Sequence, residues 1–188
     1  MATATLALEA STSALILIDV QERFLSVVPA IAADQSCGRN CRLLLEAAQL
    51  LQIPRLITEQ YPKGLGTTLP YLSDVAADVP RMAKMHFSCV DEPQVQQAID
   101  QFGRRHIVIC GIEAHVCVLT TVADLLQRGY HVVVAGDAIA SRNPDHVTMA
   151  IAAMRDLGAL VLPCETIVMR WKRRAGDALF KSLSQLIR

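Results

Sequence analysis

No apolar run in this sequence approaches the roughly 20 residues that a membrane-spanning helix needs. Ala14 to Ile18 is far too short and ends in Asp19. The amino terminus, Met-Ala-Thr-Ala-Thr-Leu, also lacks the positive start of a signal peptide, so the cytoplasm is the expected location and a membrane is not an expected partner. Charge of one sign is missing too: 18 basic and 18 acidic residues cancel, which argues against a polyanion-binding protein. The basic cluster Arg170-Trp-Lys-Arg-Arg174 has no wider basic surface around it and reads as a solvated helix end, so nucleic acid is not expected either. There is no internal repeat and no dividing linker, and one domain spanning 1–188 is expected. With no export signal, the 6 cysteines read as reduced thiols. Cys89 and Cys110 resemble core residues, and Cys37 and Cys41 share a helix without further soft ligands nearby.

What is present is a compact globular composition, 52% hydrophobic and 19% charged. Strand-like and helix-like runs alternate along its length. Ala14–Ile18, Pro54–Ile57, Arg81–Lys84, Ile107–Cys110, His131–Ala135 and Leu160–Leu162 read as strands. Helical spacing covers Arg42 to Leu51, Gln94 to Phe102 after Pro93, Val118 to Leu126 before Gly129, the segment begun by Asn143-Pro-Asp and stopped by Gly158, and Gly176 to Ile187. Near-continuous apolar strands separated by helices predict an α/β fold: a doubly wound three-layer sandwich around a six-stranded parallel sheet, order 3-2-1-4-5-6. Ligands in such sheets bind beyond the carboxyl ends of the strands, where the order reverses. That is the seam between strands one and four.

Asp19 ends strand one, Lys84 follows the third strand, and Cys117 follows strand four where a helix begins. Each has an ordinary reading alone: a turn carboxylate, a solvated lysine, a structural thiol. Converging on one crevice, they form a chemical set. A helix start favours a thiolate. Asp19 can take the thiol proton and return it to a leaving group if burial raises its pKa, with Lys84 holding the carboxylate. Backbone N–H groups at the helix start can stabilise an oxyanion. This arrangement predicts acyl transfer through a thioester.

Leu17-Ile-Asp19-Val-Gln21, Lys84 with Phe87-Ser88, Gly111-Ile-Glu-Ala-His-Val-Cys117-Val and the Gly129-Tyr-x-Val-x-Val-x-x-Asp137-Ala138 run together resemble the isochorismatase-like cysteine hydrolase family, which includes nicotinamidases. The resemblance spans nearly the whole chain. The segment Thr58-Glu-Gln-Tyr-Pro-Lys-Gly-Leu-Gly66 looks like the branch of small isochorismatase-domain hydrolases without an assigned substrate. The resemblance implies Asp19 as base, Lys84 as its partner and Cys117 as nucleophile. It further implies a cis peptide between Ile112 and Glu113 and an oxyanion hole made by the N–H groups of Glu113 and Cys117. Self-assembly into a homo-oligomer is also expected, because the apolar content is high and the family commonly assembles.

The chain departs from the nicotinamidases where they carry an Asp-x-His metal motif. Gln60-Tyr-Pro62 stands there, and no histidine precedes His86. A catalytic metal of that kind is not expected, no cofactor is implied, and nicotinamide loses much of its case. The reading is a metal-independent hydrolase of a small-molecule amide or related C–N bond. Its rivals are a non-enzymatic binding subunit that retains the triad and isochorismatase-type ether hydrolysis, which does not need the thiol. Gln21, Phe24, Gln60, Tyr61, Phe87 and His115 are candidates for the substrate-binding wall. His115 is expected to line the pocket or an interface rather than act on Cys117. Gly64 and Gly66 lack the lysine-and-hydroxyl pattern of a phosphate loop and read as turn residues. Asp137 reads as structural.

Overall fold

The computed structural model describes residues 8–187, and the leader-free reading of the first residues lies outside them. β1 (Ser13–Ile18) leads through α1 (Ser36–Leu50) to β2 (Arg55–Gln60). Two short helices, α2 (Pro62–Leu65) and α3 (Pro70–Ser73), interrupt the Gly- and Pro-containing stretch before β3 (Arg81–Lys84). α4 (Pro93–Gln101), β4 (His106–Ile112), α5 (Leu119–Gln127), β5 (His131–Ala140), α6 (Pro144–Asp156), β6 (Leu160–Leu162), α7 (Cys164–Lys172) and α8 (Ala178–Ile187) follow. The strands form one parallel sheet in the order β3-β2-β1-β4-β5-β6, with helices on both faces.

The apolar strands are continuous because both faces are covered. Leu15 and Leu17 pack with Leu44, Ile167, Trp171 and Leu183 on the α1, α7 and α8 side. Ala14, Ile16 and Ile18 pack with Val95, Ile99, Val122 and Met154 on the α4, α5 and α6 side. Each fully buried Leu or Ile contributes roughly 1.5–3 kcal/mol, so the two layers fix the register of β1 against both neighbours. Among the described residues, no helix is long and apolar enough to cross a membrane.

Three expectations need correction. β5 does not stop at Ala135 but runs to Ala140. Ile109 pairs with Val134 and Gly111 with Ile139, so two steps on β4 match five on β5 and the excess bulges outward. The helix near Cys117 starts earlier than Val118, as a π-helical turn over Ala114–Val118 that runs into α5. Arg170 to Arg174 is not simply a solvated end, because Trp171 is buried in the core through α7.

The seam between β1 and β4 is tight. Gly111 has φ +115°, and a Cβ there would sit 2.1 Å from the carbonyl oxygen of Ile18. The residue after Ile18 is Asp19, itself at φ 54°. Aspartate tolerates this left-handed conformation better than most residues.

Candidate active site

Four parallel strands deliver their carboxyl ends to one place. Ile18 pairs with Thr58 on one side and Gly111 on the other, and Gln60 pairs with Lys84. Asp19, Thr58 and Lys84 therefore meet, and Cys117 reaches them from the turn after β4. Asp19 and Lys84 are 1% exposed and Cys117 is 7% exposed.

The Asp19 carboxylate has a partner for each oxygen. Oδ1 accepts from Thr58 Oγ1 at 2.7 Å. Oδ2 lies 2.7 Å from Lys84 Nζ in a buried ion pair. The same carboxylate acts electrostatically on the Cys117 thiol. Lys84 Nζ also donates to Gln60 Oε1 at 2.6 Å and to the carbonyls of His86 and Phe87, both at 3.2 Å. An ammonium has three donors, and these acceptors leave it no freedom to swing away.

Burial dominates the ionisation of this cluster. It pushes the Asp19 pKa above the usual carboxylate range, against the lowering effects of Lys84, Thr58 and Cys117. Burial alone would lower the Lys84 pKa, but Asp19, Cys89 and Cys117 raise it overall. The Cys117 thiol is pushed up to about 12 by burial and then by Asp19, with Lys84 opposing. The helix start favours a thiolate, and burial beside a carboxylate opposes it.

The peptide between Ile112 and Glu113 is cis. The Glu113 carbonyl accepts the N–H groups of Val116 and Val118 at 3.1 and 3.2 Å.

The candidate wall residues fall into two groups. Gln21 and Gln60 are not free to bind a ligand through their amides. Gln21 Nε2 donates to the carbonyls of Gln60 and Gly66 at 3.0 and 2.7 Å, and its Oε1 accepts from Gln60 N at 2.7 Å. Gln60 Oε1 holds Lys84, and its Nε2 donates to the Met85 carbonyl at 2.9 Å. Their short polar arms fit the chain's own backbone, which spacing in sequence does not display. Phe24 is half-buried against the α1-side core. Tyr61 and Phe87 are exposed after β2 and β3, and the Tyr61 ring covers Gly64. His115 is turned to Ser141, with Nδ1 2.9 Å from Oγ, and its ring lies 4.5 Å from that of His146. It does not pair with Cys117.

Sequence reasoning missed Thr58, whose signal was its place beside Asp19 in a parallel register. It also read Cys89 only as core. Cys89 is fully buried, yet its Sγ lies 3.7 Å from Thr58 Oγ1. Thr121 Oγ1 joins the Cys89 and Cys117 backbones, accepting from Cys89 N at 3.0 Å and donating to the Cys117 carbonyl at 2.6 Å. Among the described residues, no group of three His, Cys, Asp or Glu side chains is arranged to hold a metal ion.

A buried Cys–Asp–Lys set at the switch point of this sheet is what the sequence resemblance anticipated, and comparison with known proteins decides the family. The isochorismatase domain model matches residues 13–166. The chain belongs to the isochorismatase family. Its members are hydrolases. Mouse isochorismatase domain-containing protein 2A is 36% identical over 178 residues, covering 94% of this chain and 83% of the mouse protein. The structure of MAR1 ribonuclease from Caenorhabditis elegans is 35% identical with a TM-score of 0.86, covering 95% and 91% of the two chains. The ycaC gene product of Escherichia coli, described as an octameric hydrolase of unknown specificity, shares the fold at a TM-score of 0.90 and 23% identity, covering 98% and 92%.

Proposed function

We propose that this isochorismatase-family hydrolase is a metal-independent cysteine hydrolase of a small amide or related C–N bond. The observation that carries the reading is the buried Asp19 carboxylate, shared by Lys84 at 2.7 Å and the Cys117 thiol. Cys117 Sγ attacks the substrate carbonyl while its proton moves to Asp19. The N–H groups of Glu113 and Cys117 receive the oxyanion. Asp19 then protonates the leaving amine as the C–N bond breaks, leaving a thioester. Water, deprotonated by Asp19, attacks that thioester; the acid departs and the thiol recovers its proton. Lys84 keeps the carboxylate in place and opposes the rise in its pKa, while Asp19 takes and returns the proton.

Metal independence is supported by the residues themselves. At the positions where a metal motif would stand, Gln60 is occupied by Lys84 and backbone, and Tyr61 and Pro62 offer no carboxylate or imidazole. Ether hydrolysis is disfavoured because it gives the thiol nothing to do. A panel of small amides, nitriles, esters and RNA oligonucleotides, read by intact mass, tests the reading; RNA is included because one similar structure is described as a ribonuclease. An acyl adduct on Cys117 with an amide or ester supports it. Turnover that survives Cys117→Ala at the wild-type rate ends it.

The protein also assembles with itself on this reading. Support comes from the octameric description of the Escherichia coli neighbour and from exposed Met85 and Phe87 beside the site. A light-scattering mass equal to one 20.5 kDa chain would refute assembly.

A further inference from the structure

We infer that Arg142, on the loop between β5 and α6, is a positioning residue for the oxyanion hole, acting through the buried carboxylate of Glu113. The inference rests on the cysteine-hydrolase reading above. The Glu113 side chain is 7% exposed, whereas that of Arg142 is 63% exposed. Three donors of Arg142 converge on that carboxylate. Its backbone N–H and Nε reach Oε2 at 3.0 and 3.3 Å, and Nη2 lies 3.0 Å from Oε1.

A guanidinium that meets both oxygens of a carboxylate fixes its rotation as well as its distance, which an ammonium does not. The carboxylate and the carbonyl of Glu113 are therefore both tied down. The side chain is held from outside by Arg142, and the carbonyl is held from inside by the turn bearing Cys117. The N–H that belongs to the same residue is the one assigned to the oxyanion. His115, two residues on, is tied to Ser141 of the same loop and packs on His146 of α6. The turn between strand and nucleophile is thus braced by a loop that itself lies outside the triad. Oxyanion donors act through preorganisation, so loosening this brace costs rate even though no reacting atom is removed.

The test uses two probes with different demands on Cys117. Acylation by p-nitrophenyl acetate forms a tetrahedral oxyanion and releases p-nitrophenolate. Alkylation by iodoacetamide displaces iodide at a saturated carbon, sends the thiol proton to Asp19 and develops no oxyanion. In Arg142→Ala, the acylation burst should slow by roughly 10-fold or more. Alkylation of Cys117, followed by mass, should stay within about twofold of wild type. Arg142→Lys should fall between, since it keeps charge without the fork. Equal slowing of both reactions would show a merely structural role and overturn the inference, and so would no slowing of either. If the wild-type protein is not acylated on Cys117, the cysteine-hydrolase reading fails and the inference falls with it. Failure of the brace alone shows only in the variants.

Discussion

Two cysteines in this chain share most of a nucleophile's surroundings and differ in what completes them. Cys117 and Cys164 each sit in the first turn of a helical segment that follows a strand, and an aspartate raises the pKa of each thiol. Asp137 even accepts the backbone N–H of Cys164 at 2.9 Å. Yet burial and then Asp137 push the Cys164 thiol far above its ordinary range, and no cation figures among the groups acting on it. At Cys117 the same two influences stop at about 12, with Lys84 pulling the other way. A helix start and a carboxylate are thus common to both sites; the buried ammonium of Lys84 sets Cys117 apart.

The largest expected break in that comparison is Cys117→Ala, which should lower turnover by roughly 10⁴-fold or more, against no loss for Cys164→Ala. Steady-state rates on whichever ester or amide the panel identifies check both. Lys84→Met comes next. It leaves Asp19 buried without its counter-charge, and breaking such a pair costs about 3–5 kcal/mol of stability, readable by urea unfolding. It also has a pH signature. Catalysis needs Asp19 ionised, so kcat/KM rises with pH through its raised pKa. Because Lys84 lowers that pKa, removing it moves the acid limb to higher pH. A limb that stays put or moves down would detach Lys84 from the base.

Thr58→Val is a milder probe with the same sign. It removes the 2.7 Å hydrogen bond to Oδ1, costs about 1–3 kcal/mol, and should shift the acid limb upward by less than Lys84→Met does. The smallest effect is reserved for Cys164→Ala, about 1 kcal/mol in unfolding free energy with the pH profile unchanged. A shifted profile there would mean that the two cysteines are coupled across the sheet.

The fold was legible because its strands are apolar on both faces, which leaves little alternative to a covered parallel sheet. Asp19, Lys84 and Cys117 were legible for a related reason: polar residues stand out at the ends of such strands. What the sequence concealed depends on cross-strand neighbours or on backbone. Thr58 matters only through its register with Ile18. Gln21 and Gln60 look like ligand contacts until their amides are seen gripping the main chain. The β5 bulge has no local marker that separates it from a turn at Gly136-Asp137.

A missing methyl group works here as a gauge block. Nothing larger than the hydrogen of Gly111 fits against the Ile18 carbonyl, 2.1 Å from where a Cβ would stand. One step beyond this point the two strands release Asp19 on one side and the turn bearing Cys117 on the other. The spacing of carboxylate and thiol is thereby machined into the frame of the protein, and the loops above it can be reshaped without recalibrating what lies beneath.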